Sequence, residues 1–147
     1  MNDVLHKLPQ FLGNHPILLA LFVALVLALI ATEIMRLTRK WKELTPASLT
    51  LLINRESPLV VDISAYADYE KAHIPGSRHV PPSQFDPENK ELAKVRELPV
   101  VIVDKDGRAM DKAAARLVKA GFTRVHTLGG GVEAWRQAQL PLAKGKN

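Results

Sequence analysis

Cysteine is absent from this 147-residue chain. Without a thiol, the chain by itself can form no disulfide, no thiolate metal site and no persulfide or thioester intermediate. The absence does not identify a compartment, because a protein without thiols does not respond to the redox state of its surroundings.

Two further kinds of site lack their usual sequence signals. The five histidines show no ligand-like spacing, so we expect no metal site, and no motif predicts a cofactor. They are His6, His15, His73, His79 and His126. From Thr45 onward the chain has 15 Lys and Arg against 12 Asp and Glu, without a basic stripe of interleaved aromatics. We therefore expect no nucleic acid as a partner.

A long apolar run dominates the N-terminal part of the chain. Residues 17–31 read ILLALFVALVLALIA, with no polar side chain. An extension to residues 16–35 gives the length that a membrane-spanning helix needs. Thr32 in this extension can bond back to the preceding turn. Glu33 is expected near the interface, three residues before Arg36, where a charge costs less than at the bilayer centre.

Three interpretations of this run compete. A core helix of a soluble protein normally keeps a polar stripe, which this run lacks. A cleaved signal peptide normally has a basic start, whereas Lys7 is balanced here by Asp3. The sequence therefore favours a permanent single-pass anchor. Basic residues follow it, namely Arg36, Arg39, Lys40 and Lys42. They predict an outer N-terminus and a cytoplasmic C-terminal domain at the inner membrane.

The remainder predicts one α/β domain in which short apolar strands alternate with helices. Expected strands are Leu59 to Ile63, His79 to Val80, Val100 to Val103 and Val125 to Leu128. Expected helices are Thr45 to Ile53, Tyr66 to Ala72, Glu88 to Val95, Met110 to Ala120 and Val132 to Ala138. Such alternation indicates a parallel sheet with both faces covered. Ligands bind such sheets beyond the carboxyl ends of the strands, where loops follow Ile63, Val103 and Leu128.

Three separated stretches resemble one family. They are VVDISAYADYEKAHIPGSRHVP at residues 60–81, VVIVDKDGRA at 100–109 and LGGGVEAWRQAQLPL at 128–142. Together they are similar to the rhodanese-like domain family, including its small bacterial members with one N-terminal membrane helix. The matching signature residues are Asp62, His73, Pro75, Gly76, Gly129, Gly130 and Trp135. The resemblance implies a five-stranded parallel sheet flanked by helices, after one transmembrane helix.

These signals together divide the chain. The apolar run and the basic residues after it predict a short tail at residues 1–15, a transmembrane helix at 16–35 and a basic juxtamembrane linker at 36–44. The rhodanese-like domain is expected at 45–142 and a C-terminal tail at 143–147. Trp41 is expected as an interfacial anchor among the cations that follow the helix.

The active-site loop departs from the family pattern. In the family this loop begins with a catalytic Cys and has Arg five residues later. Aligning Gly107 puts Asp104 at the Cys position and Ala109 at the Arg position, so the loop lacks both the nucleophile and its main cation. The degenerate loop comprises Asp104, Lys105, Asp106, Gly107, Arg108 and Ala109. Lys105 and Arg108 offset the two aspartates formally, and Ser64 replaces a frequent family Arg.

Other interpretations of these signals stay open. Asp104 and Asp106 after an apolar strand resemble the first motif of the haloacid-dehalogenase-type phosphatases, which use Mg²⁺, although that family's later motifs are missing. The two carboxylates can equally be solvated groups at a helix N-terminus. His73 is expected as a structural imidazole rather than a catalytic base, and the three glycines from Gly129 as a tight turn rather than a phosphate cradle.

The sequence therefore predicts a pseudoenzyme rather than an active sulfurtransferase. We expect a membrane-tethered interaction or regulatory module whose partners are the lipid bilayer and other membrane proteins or their assembly machinery. An accessory sulfur carrier that uses a partner's thiol is the first alternative, and the Mg²⁺-dependent phosphatase is the second. Small-ligand sensing through the degenerate pocket is a further possibility.

Overall fold

The computed structural model describes residues 2–88, 92 and 94–146. The chain divides into two compact units, one ending at Arg39 and the other beginning at Lys40. The first unit contains helix α1 (Asn2–Asn14) and helix α2 (Pro16–Leu37). The predicted tail is thus largely helical, and the predicted membrane helix continues for two residues beyond Met35.

Helix α2 is apolar along most of its length, because residues 17–31 have no polar side chain. An 18-residue window of this 22-residue helix has a mean hydropathy of 2.8, so by length and composition the helix can cross a membrane. As expected, the Thr32 hydroxyl donates to the Leu29 carbonyl at 2.8 Å. Glu33 pairs with Arg36 at 3.6 Å, so the carboxylate near the C-terminal end of α2 has a cation one turn away.

The second unit is built on a five-stranded parallel sheet. Its spatial order is β1-β5-β4-β2-β3. The strands are β1 (Lys42–Leu44), β2 (Leu59–Asp62), β3 (Arg78–His79), β4 (Val100–Val103) and β5 (Val125–Leu128). This sheet with its flanking helices confirms the fold class that the sequence predicts.

Among the described residues of this unit, three α-helices lie between strands of the sheet and a fourth follows β5. They are α3 (Pro46–Glu56), α4 (Tyr66–Lys71), α5 (Met110–Lys119) and α6 (Gly131–Gln137), with a 3₁₀ turn at Pro82–Gln84. Helix α3 begins where the sequence predicts, because the Thr45 hydroxyl accepts the Ser48 N–H at 3.1 Å and Pro46 occupies the first turn. The predicted helix from Glu88 to Val95 falls largely on residues outside the described part.

Apolar side chains cover both faces of the sheet. All four residues of β4 are fully buried, and successive residues point to opposite faces. Val100 and Ile102 join one core cluster, with Met110 and Leu117 of α5. Val101 and Val103 join the other, which includes Leu49 of α3 and Trp135 of α6. This two-sided burial explains why the strand is one uninterrupted apolar run.

Three segments outside the predicted domain core differ from expectation. The predicted juxtamembrane linker contains β1, which pairs with β5 in the register Lys42 to His126. Trp41 packs against the first core cluster, so its expected role as a membrane anchor is wrong. The predicted C-terminal tail is held to the domain, because Ala143 and His73 exchange two backbone hydrogen bonds of 2.8 and 3.0 Å.

Asp62 carries a carboxyl group into the interior at the end of β2. The residue is fully buried, and its Oδ1 accepts the Ser64 N–H at 2.8 Å and the Ser64 hydroxyl. Its Oδ2 is buried and has no hydrogen-bond partner among the described residues. Burial raises the pKa of the Asp62 carboxyl, although the bonds from Ser64 oppose the shift.

We predict that Asp62→Asn makes stability less dependent on pH. A raised folded-state pKa gives a stabilising contribution that is present below the unfolded pKa of about 3.9 and is lost as pH rises toward the folded value. The wild type should therefore lose stability relative to Asp62→Asn as pH rises above about 4. Urea unfolding of the full chain in detergent, followed by tryptophan fluorescence, measures this. A difference that stays constant with pH contradicts the prediction.

Candidate functional site

The candidate site lies at the carboxyl edge of the sheet, where the strands of a parallel sheet present their following loops. Ser64 follows β2, the segment from Asp104 follows β4, and the glycine run from Gly129 follows β5. The backbone of the segment 104–109, called the Asp104 loop below, leads directly into helix α5.

The Asp104 carboxylate is turned inward onto its own loop. The residue is only 5% exposed. One carboxylate oxygen accepts the Gly107 N–H, and the other accepts the Ala109 N–H at 2.8 Å. Ala109 is the N-cap of α5, so the negative charge also lies at a helix N-terminus, where it is favourable.

Asp106 accepts the N–H group that lies between those of Gly107 and Ala109 in the same loop. Its Oδ1 accepts the Arg108 N–H at 3.2 Å, and its carboxylate pairs with the Arg108 side chain at 3.2 Å. The three successive N–H groups of residues 107–109 thus all donate to aspartate side chains of the loop. These N–H groups of the loop are therefore taken by carboxylates of the chain itself.

The Asp104 loop also packs onto the start of α6. The Asp104 carbonyl accepts the Val132 N–H at 2.8 Å, and the Lys105 carbonyl accepts the Glu133 N–H at 3.0 Å. These bonds satisfy donors that a helix N-terminus otherwise leaves open. Gly131 makes the approach possible, since a Cβ there would lie 2.9 Å from both Asp106 N and Gly107 N.

Three ion pairs lie in or beside the loop, and one of them, Asp106 with Arg108, is described above. Lys105 pairs with Asp68 at 3.2 Å, across 37 residues of sequence, rather than with the loop aspartates as the formal charge balance suggests. Arg136 and Glu133 pair at 3.0 Å on α6. Two of these pairs border a pocket of about 190 Å³. Its lining residues are Ser64, Asp68, Lys71, Ala72, Lys105, Val132, Glu133 and Arg136.

His73 lies in the core of the domain, where its contacts fit a structural role. It is 2% exposed and its ring stacks on Tyr69 with centroids 3.9 Å apart. Its Nδ1 lies 2.8 Å from the Tyr69 carbonyl. The Tyr69 hydroxyl donates to the Ser77 carbonyl at 2.8 Å and thereby fixes the turn that contains Pro75 and Gly76. His73 holds this turn and the C-terminal segment.

The third signature stretch shapes the turn into α6. Gly130 has a φ of +74°, and a Cβ there would lie 2.6 Å from the Ala134 Cβ. Gly129 comes directly after β5. Trp135 is 4% exposed, and its indole N–H donates to the Pro141 carbonyl at 2.8 Å. These contacts fit a strand-to-helix turn and a core anchor.

Sequence reasoning did not identify three residues of this site. Asp68 lies on α4, far in sequence from its partner Lys105, so no local pattern reveals the pair. Gly131 is one of three consecutive glycines, and only the approach of the Asp104 loop shows that a side chain at this position would meet the backbone of another segment. Arg136 lies in the third signature stretch, but its place beside the pocket depends on the tertiary fold.

The described residues contain no group of three or more His, Asp or Glu side chains that could hold a metal ion. Both carboxylate oxygens of Asp104 are engaged by loop N–H groups. Those bonds reduce the nucleophilicity that an aspartyl-phosphate mechanism needs.

We predict that Gly131→Ala destabilises the protein strongly through the contact between the Asp104 loop and α6. Gly121→Ala is the control, because Gly121 also has a positive φ, of +97°, but a Cβ there meets no atom within 4 Å. Overpacking should lower the free energy of unfolding by about 2 kcal/mol beyond the control. Urea unfolding measures both, and equal losses would show that the two backbones do not approach closely.

Comparison with known sequences identifies relatives of this chain. The family model described as "Rhodanese-like domain" matches residues 45–138. The uncharacterized protein YibN of Escherichia coli is 40% identical over 143 residues, which are 97% of this chain and 100% of that protein. The thiosulfate sulfurtransferase GlpE of Pseudoalteromonas translucida is 31% identical over 98 residues, which cover 67% of this chain and 91% of that protein.

Solved structures show the same fold. The thiosulfate sulfurtransferase of Pseudomonas aeruginosa aligns with a TM-score of 0.64 and 27% identity, covering 74% of this chain and 21% of that chain. The BH2092 protein of Bacillus halodurans aligns with a TM-score of 0.60 and 25% identity, covering 81% and 86% of the two chains. From the Thr45 cap to the end of α6, sequence and architecture agree, and the chain belongs to the rhodanese-like domain family.

Proposed function

We propose that this protein is a non-catalytic, membrane-tethered rhodanese-like domain that binds or regulates neighbouring membrane proteins. One observation carries the proposal: the Asp104 carboxylate accepts the Gly107 and Ala109 N–H groups of its own loop. The chain's own anion thus occupies donors that could otherwise hold a substrate anion.

The chemistry of sulfur transfer supports the same conclusion. A sulfane sulfur is stored on a thiolate, and the chain has no cysteine. Ala109 supplies no positive charge where the family resemblance implies Arg. The two cations of the loop are paired with carboxylates, Arg108 with Asp106 and Lys105 with Asp68. A carboxylate in the loop repels an anionic donor such as thiosulfate.

Helix α2 is the proposed tether. At about 1.5 Å per residue its 22 residues reach roughly 33 Å, close to the ~30 Å hydrocarbon core of a bilayer. Four basic residues lie in the stretch 36–42: Arg36 is in the last turn of α2, and the other three follow the helix. By the positive-inside rule they favour a cytoplasmic location for the domain that begins at Lys40, with the N-terminus outside.

The proposed contact surface is the rim of the Asp104 loop, meaning the side chains of Lys105 and Arg108 with their acidic partners Asp68 and Asp106. Lys105 and Arg108 have side chains that are 67% and 88% exposed, and they alternate with acidic partners. Such a mixed-charge rim beside a small pocket can recognise a partner of complementary charge pattern. The partner class is membrane proteins, because the tether raises their effective concentration around the domain.

An accessory role in sulfur transfer is the second candidate function. It is favoured by the 31% identity to a protein named thiosulfate sulfurtransferase. In that role the domain would present a sulfur donor to a partner's thiol, and the pocket of about 190 Å³ next to the loop could hold a small anion. The ion pairs along that pocket argue against strong anion binding, because its three cations are accompanied by Asp68 and Glu133.

We predict that the purified wild type forms no thiocyanate from thiosulfate and cyanide above the buffer rate, alone or with membrane extract. No side chain can accept the sulfur as a persulfide. Asp104→Cys should place a thiol among the loop N–H groups, which stabilise its thiolate. The pH midpoint of its alkylation should lie below that of the control Ser83→Cys, at an exposed residue of the 3₁₀ turn.

Two outcomes would contradict this prediction in different ways. If the wild type forms thiocyanate and this activity co-purifies with the protein, the proposed non-catalytic function is overturned. Equal alkylation midpoints for Asp104→Cys and Ser83→Cys would show that the loop N–H groups do not converge on position 104.

We predict that Lys105→Glu with Arg108→Glu abolishes the co-purification of specific membrane proteins. The matched control is Lys112→Glu with Lys119→Glu, which makes the same charge change on exposed residues of α5. Quantitative mass spectrometry after purification in mild detergent measures both variants against the wild type. Partners lost from the rim variant alone support the proposed surface, whereas an unchanged set of partners rules it out.

A further inference from the structure

Helix α1 has two chemically different faces. Val4, Leu5, Leu8, Phe11 and Leu12 recur at the i, i+1, i+4, i+7, i+8 spacing of one helical face. The opposite face carries polar side chains. They are Asn2, Asp3, His6, Lys7 and Gln10. A helix with this pattern needs an apolar environment on one side and water on the other.

The apolar face of α1 is largely uncovered by protein. Its side chains are between 40% and 66% exposed. Contact with the start of α2 is partial: the Phe11 and His15 rings lie 4.6 Å apart, and an apolar cavity of about 470 Å³ lies between Leu8 on α1 and Phe22 on α2. The remaining apolar surface calls for an occupant that the described part of the chain does not supply.

Continuity with α2 indicates that this occupant is lipid. Only His15 separates the two helices, so the end of α1 lies at the point where α2 enters the bilayer. His15 has φ −129° and ψ 64°, which breaks the helical path before Pro16. Helix α1 can therefore leave the axis of α2 and run along the membrane surface.

The polar groups of α1 place it at the interface rather than in the hydrocarbon core. Asp3 and Lys7 are too costly to bury in lipid. Pro9 inside the helix has no N–H, which leaves the Leu5 carbonyl without its usual helical partner. The headgroup region supplies water for that carbonyl, whereas the hydrocarbon core supplies none.

We propose that α1 is an interfacial helix that lies in the lipid headgroup region at the end of α2 remote from its basic flank. Val4, Leu8 and Phe11 face the acyl chains, and His6 and Gln10 face water. This inference rests on the proposed membrane tether. Because Asp3 offsets Lys7, the binding comes from apolar burial and does not require anionic lipid.

The absence of cysteine makes a direct test possible. Single-cysteine variants of the full chain are labelled with the environment-sensitive fluorophore NBD and reconstituted into phosphatidylcholine vesicles. Leu8→Cys and Phe11→Cys report on the apolar face, and His6→Cys and Gln10→Cys report on the polar face. Leu27→Cys reports on the middle of α2. Lipids with a nitroxide high or low on the acyl chain measure depth, and iodide measures access from water.

The apolar-face labels should be quenched by the shallow nitroxide about twofold more than the polar-face labels, and iodide should show the opposite order. Equal quenching of the two faces would overturn the interfacial helix. So would apolar-face labels shielded from both quenchers, since they would then be covered by protein. Deep quenching at Leu27→Cys must accompany the expected result. If the deep nitroxide does not quench the Leu27→Cys label, the tether itself is overturned. If it does quench that label but the α1 labels are exposed to water, only the inference about α1 is overturned.

Discussion

The carboxylate of Asp104 determines the shape of the candidate site. By accepting the Gly107 and Ala109 N–H groups it closes the loop into a turn and places a negative charge at the start of α5. The carbonyl of the same residue accepts the Val132 N–H, so one residue connects β4, the loop, α5 and α6. A buried carboxylate is tolerated here because its charge is met by N–H groups, and such charge-assisted bonds are stronger than neutral ones.

This internal pairing explains how the loop can keep its shape without bound substrate. A turn of converging N–H groups needs acceptors, because each backbone N–H requires a hydrogen-bond partner. An enzyme can meet that requirement with a substrate or solvent anion, whereas this chain meets it with Asp104 and Asp106. The proposed loss of chemistry and the persistence of a defined surface thus have the same physical origin.

The sequence predicts the parts of the fold that depend on local patterns. The Thr45 cap and the apolar run of β4 each identify their element without tertiary information. Strand β1 has no such signal: the three residues Lys42, Glu43 and Leu44 become a strand by pairing with β5, far along the chain. The same reason explains the error at Trp41, whose apolar neighbours come from distant segments, and the unforeseen pairing of Lys105 with Asp68.

Because exposed ion pairs are weak, the proposed contact surface depends on the tether to bring a partner close. Surface pairs such as Lys105 with Asp68 contribute only about 0–1 kcal/mol each, and a pocket of about 190 Å³ buries little apolar area. A rim of this kind would give low affinity to a partner that diffuses freely in three dimensions. Confinement to the same bilayer converts the encounter into a nearly intramolecular one, in which an effective concentration in the millimolar range can make weak contacts sufficient. The polar character of the rim and the apolar character of α2 are therefore complementary: the rim supplies selectivity, and the helix supplies the proximity that the rim alone would lack.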